Sequence, residues 1–279
     1  MKKLVLILVI IAISLIFCVS CKKEEKQTNN SETEIATKKD YNSYIKELIE
    51  KTGIDIYEFR QLDKVRKLSA KSRGMMYALT EASLSKGEIT EEKLDQLENL
   101  KQAIDVAYQA GNDYQVLCLF ESFCAICKTI DGFIFHTNQY GMQTFTFDPT
   151  LPTLELPMAY MLEVSNDAEE LVNDVEDFYP SFSSLLEETQ IEVLTAAIYL
   201  NQPQGGAKGP VQDCERGAWE DYAWSLAGAH AGLTVALNIC PFTGPGVGAC
   251  VASAFTGYGI AVAWASIGYK RVLKRCSKL

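Results

Sequence analysis

Between residues 41 and 203 apolar side chains recur at intervals of three and four, the period of a helix with one buried face. The clearest run is ITEEKLDQLENLKQAIDVAYQAGN, in which Leu94, Leu97, Leu100, Ile104 and Ala107 share a face. Thr90 stands where an N-cap is needed, Glu91 and Glu92 occupy the first turn, and Gly111 stops the helix. Similar amphipathic runs predict helices at about 42–52, 56–84, 113–130, 166–178 and 182–200. One stretch breaks the period. FIFHTNQYGMQTFTF, Phe133 to Phe147, alternates aromatic and polar residues around a Tyr-Gly turn signal, and LPTLELP follows, so a short β-hairpin or extended insert is expected there.

The pattern changes at both ends of this region. At the start, Met1, Lys2 and Lys3 precede an unbroken apolar stretch from Leu4 to Ser20, which reads as an export signal rather than as fold. CKKEEKQTNNSETEIATKKD, Cys21 to Asp40, is then almost wholly polar, suited to a solvated tether and not to a core. At the other end NQPQGGAKGP, Asn201 to Pro210, has the Gly and Pro content of a linker, and beyond it the charge thins out. Between Asp221 and Lys270 lie 48 residues (270 − 221 − 1) without Asp, Glu, Lys or Arg. The expected organisation is a signal peptide at 1–20, a tether at 21–40, a helical domain at 41–203, a linker at 204–210 and a C-terminal module at 211–279.

Ser20-Cys21 behind the apolar stretch resembles the lipobox of bacterial lipoproteins, with Cys18 at the third position before the cut, where Leu is usual. The KKEE after Cys21 is similar to the export tag of surface lipoproteins of the Bacteroidota. That resemblance implies cleavage before Cys21, diacylation of Cys21, membrane attachment through the lipid, and residence in the cell envelope as an outer-membrane lipoprotein, periplasmic or surface-exposed. A plain transmembrane anchor is the other reading of the same segment.

Export implies an oxidising compartment, where paired cysteines are disulfides before they are metal ligands. Cys214 to Cys240 spans 26 positions (240 − 214), and so does Cys250 to Cys276 (276 − 250). Two helices of about 25 residues, each roughly 37 Å long, folded antiparallel about CPFTGPGVGAC would set Cys240 beside Cys250 and Cys214 beside Cys276. The predicted fold class is therefore all-α: an irregular helical domain with a short β insert, followed by a disulfide-bracketed helical hairpin.

Charge adds detail to this picture. The chain carries a formal −10, about −12 once two lysines leave with residues 1–20, which argues against a nucleic-acid partner. Asp213, Glu215, Glu220 and Asp221 open the first hairpin helix, and Lys270, Arg271, Lys274 and Arg275 close the second. In an antiparallel pair these clusters would lie side by side and help to set register. Small residues at every fourth position, Ala249, Ser253, Gly257, Ala261 and Ala265 on one helix and Gly228, Gly232 and Ala236 on the other, are expected to let the two approach closely.

Catalytic chemistry is sparse. Cys124 and Cys127 form CAIC, a possible redox pair, and with Cys118 and His136 they could be drawn as a zinc set; the apolar pattern shared with Leu117, Phe120 and Phe123 favours core thiols. Two histidines in no metal-binding spacing, and no Ser-His-Asp pattern, point to no cofactor. NDAEELVNDVEDF reads as a solvated helix face. The hairpin is similar in pattern to the hydrophobic hairpin of pore-forming colicins and to small helical bacteriocins, which implies bilayer contact, whereas its Ala- and Gly-rich composition favours burial against the preceding helices. The expected function is a lipid-anchored, non-enzymatic binding or interaction protein, with a protein or the bilayer as the hairpin's partner. The alternatives are a membrane-active toxin or immunity-type protein, and a thiol enzyme using Cys124 and Cys127.

Overall fold

A computed structural model describes residues 40–84, 90–127, 168, 170–203, 210–240 and 246–278. The export signal, the tether with Cys21, the Phe133–Phe147 insert, His136 and linker residues 204–209 lie outside the described residues. Those that are described form an all-α structure, with no strand among them.

Local sequence sets most of the helix ends. Helix α1 is Tyr41–Thr52; Gly53 follows at φ 70°, the left-handed conformation that glycine adopts freely, and its N–H reaches the Ile49 carbonyl at 2.8 Å. The one-turn helix α2, Ile56–Phe59, starts at Asp55, whose carboxylate accepts the N–H groups of Tyr57 and Glu58. Helix α3 is Asp63–Leu84. The single helix predicted over 56–84 is thus broken at 60–62. Ile56 and Phe59 are fully buried, and the next buried position, Val65, comes six residues later, off the face that Phe59 occupies; the turn resets the face for Val65, Ser69, Ser72 and Met76.

Helix α4, Glu91–Gln109, begins where its sequence predicts, with Thr90 Oγ1 accepting the Lys93 N–H at 3.3 Å, and ends at Gly111 with φ 68°. Its stripe Leu94, Leu97, Ile104 and Ala107 is buried. Helix α5 is Asp113–Cys127, with the Asn112 side chain accepting the Gln115 N–H. A helix at 170–178 (α6) follows. The predicted helix at 182–200 starts later, at Glu187, because Phe182 is pulled into the core against Phe59, centroids 5.7 Å apart, and the chain around it turns. Helix α7, Glu187–Leu200, buries every residue from Val193 to Tyr199. Full burial of a Val, Leu or Ile stabilises by about 1.5–3 kcal/mol, so α7 anchors the core.

Helices α8, Pro210–Ile239, and α9, Val247–Cys276, form the antiparallel hairpin. Helix α8 packs on α7 and α3, while α9 packs on α4 and α5, so both hairpin helices are covered by helices from earlier in the chain. From Asn42 onward the chain is one compact unit.

Candidate functional site

The hairpin's two ends are closed covalently. Cys214 is bonded to Cys276 with Cα atoms 5.6 Å apart, and Cys240 to Cys250 with Cα atoms 5.5 Å apart, the nested pairing that the equal 26-residue arms require. Between the bridges the helices keep one register. A step of three residues from Trp219 to Tyr222 is matched by three from Tyr269 back to Ser266, and eight more to His230 by eight back to Tyr258.

The seam is aromatic and polar rather than small. Tyr222 stacks on Tyr269 at 4.7 Å, Trp219 meets Tyr269 edge-on at 5.9 Å, and His230 meets Tyr258 edge-on at 5.1 Å. The expectation that two small-residue stripes face each other fails at the two stripe positions where the geometry is resolved. A Cβ on Gly228 would meet Thr195 of α7 at 3.8 Å, and one on Gly257 would meet open space. These two glycines therefore do not serve the contact between the hairpin helices. Charge at the base is arranged partly within one helix, where Arg216 pairs with Asp213 and Glu220 of its own α8.

His230 is a buried ionisable group of the seam. Its Nδ1 lies 2.9 Å from the Leu226 carbonyl, which can only accept, so the proton sits on Nδ1; Nε2 then accepts the Tyr258 hydroxyl at 3.0 Å. Burial lowers its pKa to about 4, against the opposing pull of the Leu226 carbonyl and with a small contribution from Lys71. A neutral imidazole with both nitrogens engaged inside the protein is a structural link and not a general base.

Other aromatics tie the hairpin to the rest of the core. Trp224 lies between Tyr44 and Tyr199, at 5.5 and 5.2 Å, and Trp264 donates its Nε1–H to Glu98 of α4 at 2.7 Å. Helix α9 is long and apolar enough to cross a membrane, yet 61% of its most apolar window is already buried against protein.

The CAIC thiols lie in the described part of α5 that ends at Cys127. Cys127 is buried, and burial, with the Cys124 thiol beside it, pushes its thiol well above the ordinary range. Cys118, Cys124 and Cys127 form no disulfide. Among the described residues no three His, Cys, Asp or Glu side chains gather as a metal site.

A further cluster had no visible pattern in the sequence. Where α7 ends, the Arg60 Nη1 donates to the Leu200 carbonyl at 2.6 Å and the Arg73 Nη2 to the Asn201 carbonyl at 2.7 Å. Asn201 Nδ2 returns a bond to the Arg60 carbonyl at 2.9 Å and one to Ser69 Oγ at 3.1 Å, while the Gln202 amide donates to the Ser69 carbonyl. Two guanidinium groups thus converge on the negative end of a buried helix. All these pairs join residues 128 to 141 positions apart, which only the folded chain brings together.

No family model matches this chain, and no curated protein or solved structure matches it either.

Proposed function

We propose that the chain is an exported, lipid-anchored protein of the cell envelope that acts by binding rather than by catalysis. The observation that carries this reading is the nested disulfide pair, Cys214–Cys276 and Cys240–Cys250. Bridges of this kind form and persist in oxidising compartments, which agrees with the apolar leader and with the lipobox-like Ser20-Cys21. A hairpin held in the core by Trp224 and Trp264, and closed across its own seam by the His230–Tyr258 link, suits a scaffold whose surfaces engage a partner. The anchor is tested by Cys21→Ala: metabolic palmitate labelling and signal cleavage are both expected to disappear, and labelling that persists assigns the lipid elsewhere.

One observation favours a second reading, a membrane-active protein of bacteriocin or immunity type. Helix α9 passes the length and composition test for a membrane span. Release of an encapsulated dye from liposomes by the full chain separates the two readings. Under the first, release stays at the level of a lipid-anchored control; under the second, it rises with protein concentration and vanishes when the hairpin is cross-linked to α4.

A further inference from the structure

We propose that the C-terminal end of α9 is a docking face for the anionic headgroups of the bilayer to which the chain is anchored, and that it sets which side of the protein lies on the membrane. Lys270, Arg271, Lys274 and Arg275 stand in the last two turns of α9, and Lys278 follows in the turn beyond it. At 3.6 residues per turn, steps of one and four keep the four helical cations within about 140° of the circumference. Cys276, fully buried and bonded to Cys214, holds the opposite side of the helix against α8. Arg271, Lys274, Arg275 and Lys278 are accordingly exposed, and Lys270 is half-buried.

Exposed cations are ordinary; their segregation here is not. Asp221 is the last acidic residue of the chain, so the 58 residues after it (279 − 221) hold five Lys and Arg and no Asp or Glu. The residues up to Asp221 hold the other 21 (26 − 5) and all 36 acids, a formal −15 against +5. Two internal uses for these cations fall short. The end of α9 offers roughly half a negative charge. The acids that open α8 lie next to it across the outer bridge, yet Asp213 and Glu220 pair with Arg216 of their own helix. Among the described residues, Lys270, Lys274, Arg275 and Lys278 make no ion pair with a carboxylate. What selects a bilayer as the partner is the lipid on Cys21, and this role rests on that reading. Residues 21–40 reach up to about 70 Å when extended, farther than the roughly 45 Å length of α9, so the tether limits distance and not orientation. A body of net negative charge is repelled by anionic lipid except where its cations collect. Each exposed Lys or Arg strengthens contact with such a surface by about fivefold, and only within a Debye length, about 10 Å at 0.1 M salt.

The test uses the full chain purified from membranes and added to preformed vesicles of phosphatidylcholine, alone or mixed with phosphatidylglycerol. Lysines are acetylated with a membrane-impermeant reagent, and the rate at each site is read by mass spectrometry. At low salt, Lys274 and Lys278 are expected to react about fivefold or more slowly on the mixed vesicles than on the neutral ones, and molar salt is expected to abolish the difference. The double variant Lys270→Gln with Arg275→Gln leaves both reporter lysines in place and is expected to lose most of that protection, with circular dichroism unchanged. Lys51→Gln with Lys67→Gln removes the same charge from two lysines that already have carboxylate partners, and is expected to keep the protection. Flotation with neutral vesicles reads the attachment at the N-terminus, and the dependence on phosphatidylglycerol reads this face, so either can fail without the other. Equal rates on the two kinds of vesicle, slowing that molar salt leaves in place, as insertion of α9 would give, or protection undiminished in the Lys270/Arg275 variant overturns the docking face.

Discussion

The covalent closure of the hairpin leads to a quantitative expectation about its two bridges. The variants to compare are Cys214→Ala with Cys276→Ala, and Cys240→Ala with Cys250→Ala. The outer bridge spans a sequence separation of 62 and the inner one of 10. On the chain-entropy account, loops of these lengths correspond to about 4.3 and about 2.7 kcal/mol of stability, a difference near 1.6 kcal/mol set by the logarithm of the length ratio. Packing losses largely cancel in the comparison, because each bridge contains one fully buried cysteine, Cys276 or Cys240, and a less covered partner, the half-buried Cys214 or the 8%-exposed Cys250. At about 2–4 °C per kcal/mol for a chain of this size, the variant lacking the outer bridge should melt about 3–6 °C below the one lacking the inner bridge. Thermal unfolding followed by circular dichroism without reductant reads this directly. If removal of the inner bridge lowers the midpoint as much as or more than removal of the outer one, loop closure is not what the bridges contribute, and the seam contacts already hold the base in the unfolded ensemble.

Two further outcomes follow from burial. His230 has a folded-state pKa of about 4 against an ordinary 6.5, so its contribution is full above pH 6.5 and is lost as pH falls toward 4, by up to about 3 kcal/mol. Urea midpoints at pH 7 and pH 4.5 should therefore differ less in His230→Gln than in the parent; equal differences would show that carboxylates alone drive the acid response. In the native protein at pH 8, iodoacetamide should modify Cys118 well before Cys127, whose thiol is raised by burial, and mass-spectrometric rates that match at the two sites would place Cys127 on the surface.

The hairpin was the most legible part of the sequence because disulfide geometry is strict: cysteines at equal spacing on two arms leave one antiparallel register that serves both pairs. Caps were legible for a related reason, since Thr90 and Gly111 act on their own few neighbours. The break at 60–62 and the late start of α7 at Glu187 were not, because each follows from where Phe59 and Phe182 meet, two rings that the pattern of either segment alone cannot bring together. The small-residue stripes misled because Gly228 serves the contact between α8 and α7 rather than the hairpin itself. Still less visible was the arginine junction. Its bonds run from side chains to carbonyls, and any residue type can present a carbonyl, so Leu200 and Asn201 carry no mark of their role.

The bridges also bear on how the protein withstands proteases. Cys214–Cys276 makes the segment between those residues a ring, so one peptide bond cut anywhere within it opens the ring without releasing a piece. A cut between Cys240 and Cys250 leaves both bridges joining the two halves. Since Trp219, Tyr222 and His230 still face Tyr269, Ser266 and Tyr258 across the seam, a nicked hairpin keeps its contacts and its neighbours at very high effective concentration. On a gel the damage would show only after reduction, and a single proteolytic event would leave the hairpin in place.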